Sequence, residues 1–210
     1  MNSSDGSTLG RPRSDSARLA VLHAVDDMLV EEGYGAMTMK GIAERAGVGR
    51  QTVYRWWNSK AEILFEAVVL DAAKELTIDP GASSAEELDL FLSAVLAFLT
   101  HSHAGSAYRA LVGEAQHDAK VAELIGSTDV LVAAARPLLE RAVERGDLPT
   151  DLDLESAATE LVGPTVFRVL AGATVAPESP SGSGARFLAR FRCESPASSG
   201  PGRTPRTPRR

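Results

Sequence analysis

Arg50 and Gln51 stand side by side where a short segment resumes after Gly47-Val48-Gly49. They are the side chains that pair bidentately with guanine and adenine in the major groove of duplex DNA. Thr52, Tyr54, Arg55 and Trp56 follow, with Thr38, Lys40 and Lys60 on either side. Hydroxyls and cations of this kind hold phosphates, which fixes register while base edges specify sequence. Between Lys40 and Lys60 five basic residues meet one carboxylate, Glu44. Each residue alone has a plainer role: Arg50 and Arg55 suit a solvated helix face, and Trp57 suits a small core. If Trp57 packs inward, its neighbour Trp56 points elsewhere. The combination at this spacing is what points to DNA.

Signals for other chemistry are weaker. His101 and His103 are metal-type residues, but positions i and i+2 do not share a helical face, and no cysteine joins them. His117-Asp118 pairs a base with an orienting carboxylate, yet no serine elbow or glycine-rich phosphate loop accompanies it. No catalytic group, metal site or cofactor is expected. His101, Arg109, Glu114, Gln116 and His117 remain candidate polar groups of a ligand pocket.

The elements that must position these residues are helices. Val21, Leu22, Val25, Met28 and Leu29 recur on one helical face, with Ser14 or Ser16 as cap and Gly33 as stop, predicting a helix over about 16–32. Thr38 caps a two-turn helix ending at Gly47, and Arg50 to Trp57 forms the next, so a glycine-bearing turn joins two short helices. Asn58-Ser59 can cap a helix from Lys60 to about Leu76, and Asp79-Pro80-Gly81 breaks the chain. Ser84 caps a segment whose Leu88, Phe91, Leu92, Val95, Phe98 and Leu99 form a wide apolar stripe. Helical stretches follow at about 105–117, 118–127 and 128–145, and Asp153 caps a last strong helix to about Gly172, interrupted at Gly163-Pro164. No segment alternates with period two, so the fold class is all-α.

This gives a flexible arm over 1–15, a helix-turn-helix DNA-binding domain over 16–60, and a helical ligand-binding and dimerisation domain over 61–176. Residues 177–210 read as a linker, a short basic helix of at best two turns and a disordered tail. The charge partition agrees: the net charge of −6 divides into +1 over 1–60, −10 over 61–192 and +3 beyond. A basic reader sits on an acidic body. Forty-four per cent hydrophobic and 24% charged residues in a chain of 210 exclude a wholly disordered or fibrous protein. The longest apolar stretch, Leu90 to Leu99, is too short for a bilayer. A lone Cys193 and an N-terminus without an apolar core predict a cytoplasmic address and no membrane.

The stretch from Thr38 to Lys60, with Ile42-Ala43, Ala46-Gly47-Val48, Thr52-x-Tyr54 and Ser59-Lys60, and with Gly33-Tyr34 before it, resembles the DNA-binding signature of the TetR family of bacterial transcriptional regulators. About fifty residues carry the match. It implies that Thr38, Tyr54 and Lys60 hold phosphates while Arg50, Gln51, Thr52, Arg55 and Trp56 face the groove. Trp56-Trp57 replaces the family's frequent His-Phe pair, with Trp57 in the packed slot.

The resemblance further implies a homodimer on a palindromic double-stranded operator, more a repressor than an activator, released by a small-molecule effector. One recognition helix reads only a few base pairs, so two half-sites are required. The dimer surface is expected on Leu161, Pro164, Val166, Phe167 and Leu170, where related regulators often carry a Gly-Pro. In the family the final helix completes that interface, and here it is short and basic. Two rival readings stay open: a helical enzyme or small-molecule binding protein with an accessory DNA module, and a protein-interaction adaptor with a degenerate one.

Overall fold

Serine, threonine and aspartate side chains open seven of the ten helices, and each does so by accepting hydrogen bonds from first-turn N–H groups that have no helical partner. The computed structural model describes residues 11–173 and 182–192. In chain order the helices are α1 Arg11–Glu32, α2 Met39–Arg45, α3 Arg50–Trp56, α4 Lys60–Glu75, α5 Ser84–His101, α6 His103–Ala115, α7 Ala119–Ser127, α8 Val130–Glu144, α9 Leu154–Leu170 and α10 Ser183–Arg192. The described residues contain no strand, and none of their helices alone is long and apolar enough to cross a membrane.

Several boundaries differ from the sequence expectation. α1 begins at Arg11, so residues 11–15, expected in the arm, are helical, and neither Ser14 nor Ser16 caps the helix. Pro12 lies in the first turn, where its missing N–H has no partner to lose. Ser83 rather than Ser84 caps α5, because Ser84 is buried and accepts a hydrogen bond from Arg145 instead. α9 runs continuously through Gly163-Pro164. Proline removes only the bond to the Glu160 carbonyl, and the inward packing of Leu161 and Val162 holds the turn in register. The expected disordered tail lies outside the described residues.

The body is assembled around α5. Leu88, Phe91, Val95, Phe98 and Leu99 are essentially inaccessible, each contributing about 1.5–3 kcal/mol of apolar burial. α6, α8, α9 and α10 all pack against this helix. The axis bends by 77° between α5 and α6. Gly105 makes the bend possible, since a Cβ there would lie 1.8 Å from the Phe98 carbonyl oxygen. Gly105→Ala therefore forces the two helices apart. It should cost about 1–3 kcal/mol, read as a lowered midpoint in thermal unfolding.

The short basic helix expected near 185–193 is α10, ten residues rather than two turns at most, and it packs on α5. Phe187 and Leu188 are buried, and the backbone N–H groups of Gly182 and Gly184 donate to the Asp89 carboxylate of α5 at 2.7 Å each. α5 thus supplies the cap for α10. Gly184 is required by close approach, since an added Cβ would sit 2.3 Å from the Ala85 carbonyl oxygen. Arg186 and Arg190 keep the exposed side basic.

Candidate nucleic-acid interface

The long helix α1 and the short helices α2 and α3 build the reader. Val53 on α3 is wholly buried in the core that also holds Ile42 and Ala43 of α2 and Val21, Val25 and Met28 of α1. With that side fixed, the opposite side of α3 carries Arg50, Gln51, Tyr54 and Arg55, all exposed. Thr38 caps α2 by accepting from Gly41 N–H at 3.0 Å, which leaves its hydroxyl hydrogen available. The turn after α2 uses Gly47 at φ +67°, a left-handed geometry that side chains resist.

Trp57 closes α3 and fastens it to α4. It is buried, and its Nε1–H donates to Glu66 at 2.9 Å. Arg18 of α1 donates to both oxygens of the same carboxylate at 2.7 and 2.6 Å, with its guanidinium 5.3 Å from the Trp57 ring centroid. Burial alone would push the Glu66 carboxyl up, but the bonds from Arg18 and Trp57 outweigh it and hold the group below its usual range.

The five cations of the basic segment are not equivalent. Arg45 is engaged by Glu31 of α1, and Lys40 lies 3.6 Å from Glu44. Lys60 is half-buried: its ammonium donates to the Tyr34 carbonyl at 2.7 Å and lies 4.1 Å from the Tyr34 ring centroid. Arg50 and Arg55 meet no carboxylate at ion-pair distance among the described residues. Arg55 instead stacks its guanidinium 5.1 Å from the Trp56 centroid.

Trp56 is half-buried rather than openly exposed. It lines a groove with Ser14, Ala17, Val48, Gly49, Thr52 and Arg55, and meets Trp57 edge-on. The extra turn of α1 gives it this wall. Thr52, on the same groove, is likewise half-buried.

The body of the protein holds a second feature. A cleft of about 330 Å³ lies between the C-terminal half of α4 and α8, lined by Val69, Ala72, Leu76, Ile78, Val130 and Arg141 among others. The pocket residues expected from sequence are not on it. His101 ends α5, Arg109 and Glu114 lie on α6, and His117 follows α6. Those residues are polar, whereas the cleft wall is nearly all aliphatic. Leu161, expected at a dimer surface, is buried on the inner side of α9, while Phe167 is 73% exposed and Leu170 and Pro164 are also exposed. Val166 is half-buried.

Residues 21–67 match the model of bacterial regulatory proteins of the tetR family, and residues 78–180 match that of the tetracyclin repressor-like C-terminal domain. A relative from Bacillus subtilis (strain 168), the uncharacterized HTH-type transcriptional regulator YdeS, is 33% identical over 163 residues, covering 77% of this chain and 82% of the relative. The chain belongs to the TetR family. It is a helix-turn-helix, DNA-binding transcriptional regulator, a class whose members are generally not enzymes. The TetR family transcription regulator SCO0332 superposes with a TM-score of 0.71 at 26% identity, covering 83% of this chain and 97% of that one. RolR, solved with its ligand resorcinol, shares the fold with a TM-score of 0.58 at 18% identity, covering 86% and 89%.

One strained carboxyl marks where the reader of this TetR-family chain meets its body. Asp26 of α1 is partly buried where α1 packs on α4 and α6, and its pKa is pushed up to about 6. Burial is the main cause and Asp71 of α4 adds to it, while His23 and His103 act in the opposite sense. The native state therefore holds this proton more tightly than the unfolded chain, and stability falls as pH rises from about 4 to about 6. Asp26→Asn should raise stability by on the order of 1–2 kcal/mol above pH 6. In thermal unfolding across pH 4–8 the gain should shrink to nothing toward pH 4.

Proposed function

We propose that this regulator binds a palindromic operator as a homodimer and represses transcription, with release by a small molecule. The single observation that carries the DNA reading is the two-sided character of α3: Val53 is wholly buried while Arg50, Gln51, Tyr54 and Arg55 are exposed. A helix anchored this way can enter the major groove with the polar side leading. Arg50 and Gln51 are assigned to base edges. Thr38, Lys40, Thr52 and Tyr54 are assigned to phosphates, and Arg55 with Trp56 stacked beneath it is assigned to the groove wall. Lys60 holds the α1–α2 loop through Tyr34 and adds its charge to the phosphate field.

In this reading the DNA-binding unit is α1 to α3 and the effector and dimer unit begins with α4. Pro164, Phe167 and Leu170, exposed, with Val166 half-buried beside them, supply the dimer surface, since an exposed apolar set on one helix is what a two-fold partner covers. α4 joins the two functions. Its sixteen residues make a rod of about 24 Å, with Lys60 and Glu66 gripping the reader at one end and Ala72 and Leu76 walling the cleft at the other. A molecule that fits the cleft only with α4 tilted would lower operator affinity, and operator would lower its affinity equally.

Selection of bound fragments from a random duplex library, at about 0.15 M salt because phosphate contacts are salt-dependent, tests the proposal. An enriched inverted repeat supports it. A folded protein that enriches no motif overturns it.

A further inference from the structure

The cleft between α4 and α8 has a chemistry that narrows its occupant. Of its lining residues Arg141 alone is charged; the others are aliphatic apart from Thr77 and Thr128. Both threonine hydroxyls donate to backbone carbonyls, at Ala73 and Ser127, so they offer a ligand acceptor lone pairs and no hydrogen. The donors must come from Arg141.

Arg141 is not neutralised. It shares Glu87 with Arg145: the Glu87 carboxylate, only 1% exposed, accepts from Arg141 Nε at 2.9 Å and from Arg145 Nη2 at 2.6 Å, with Arg141 Nη2 at ion-pair distance, 2.7 Å, and donating to the Ile78 carbonyl. Two guanidiniums on one carboxylate leave a surplus positive charge against an apolar wall. Nη1 of Arg141 makes no hydrogen bond to the described residues. A single anionic head with an apolar body complements that arrangement, and a volume of about 330 Å³ is at the lower end of small-molecule pockets.

We propose that this cleft binds a small amphipathic carboxylic acid, its carboxylate on Arg141 and its hydrocarbon between α4 and α8. As to effector action the proposal rests on the ligand-responsive reading above. Binding itself does not.

The test is calorimetric titration of the full-length, DNA-free protein with octanoate and with octanamide, which keeps the chain and removes the charge. Saturable binding of octanoate, at least tenfold tighter than octanamide, is the expected result. Arg141→Gln should remove that preference. Because this change also disturbs Glu87, Ala133→Trp, at an exposed cleft position, provides the independent check: it should abolish octanoate binding without lowering the thermal midpoint. Equal binding of acid and amide, no binding of octanoate, or binding unchanged by Ala133→Trp overturns the proposal. Octanoate that binds as expected yet leaves operator affinity unchanged supports the cleft assignment and counts against the cleft as the effector site.

Discussion

A variant carrying Arg50→Ala and Gln51→Ala keeps the wild-type thermal midpoint and loses at least about 100-fold in affinity for the selected operator. Both side chains are exposed and make no ion pair within the described fold, so removing them disturbs nothing that holds α3 in place. Each bidentate base contact contributes about 1–3 kcal/mol of discrimination, and a two-fold complex loses every contact twice. Affinity for unrelated duplex falls much less, because phosphate attraction persists. Lys40→Ala should do the reverse, weakening selected and unrelated DNA alike and flattening the salt slope by about one per protomer. Fluorescence anisotropy at several salt concentrations separates the two patterns. If the double variant still prefers the selected sequence, α3 is not the reader.

Much of this was legible in the sequence, for a physical reason: capping, periodicity and turn chemistry are local. Thr38, Ser59 and Asp153 cap the helices they were expected to cap, and Trp57 packs where an apolar face required it. The Gly163-Pro164 break did not appear because tertiary packing outweighs one lost backbone bond. α10 carries its signal openly, since Phe187, Leu188 and Phe191 lie at helical spacing, whereas its positive charge marks only the solvent side.

What stayed hidden is long-range pairing. Nothing local indicates that Lys60 is held by Tyr34, that Trp57 and Arg18 share Glu66, or that Arg141 lies against a carboxylate 54 positions away. Partner choice among many surface charges is decided only once the helices are packed. The polar residues singled out in the sequence lie off this cleft for a related reason. Polar side chains look chemical, whereas the cleft is made mostly by aliphatic residues of α4, α8 and the chain beside their ends, whose sequence signature is ordinary core periodicity.

Glu87→Ala is expected to lower the thermal midpoint by on the order of 10 °C. The carboxylate is the common acceptor for Arg141, Arg145 and the Gly81 N–H, and it draws together the α4–α5 connection, the start of α5 and the end of α8. Burial by itself would push its carboxyl up, but the bonds from Arg145, Gly81 and Arg141 prevail and keep it below the ordinary glutamate range. Removing it strands two guanidiniums on a largely apolar wall. Breaking a buried pair in this way costs about 3–5 kcal/mol, and a chain of this size loses about 2–4 °C per kcal/mol. The contribution is present above the unfolded value near 4.5 and is lost as pH falls through the lower folded value, so the gap between variant and wild type narrows in strong acid. Replacing all three charges, with Glu87→Leu, Arg141→Met and Arg145→Leu, should recover most of the stability, because an apolar substitute incurs no desolvation penalty. That triple variant should stay folded and still not bind octanoate, which separates what the cluster does for the fold from what its surplus charge does for a ligand. A midpoint unchanged by Glu87→Ala would mean that solvent screens the cluster, and the surplus positive charge assigned to the cleft would go with it.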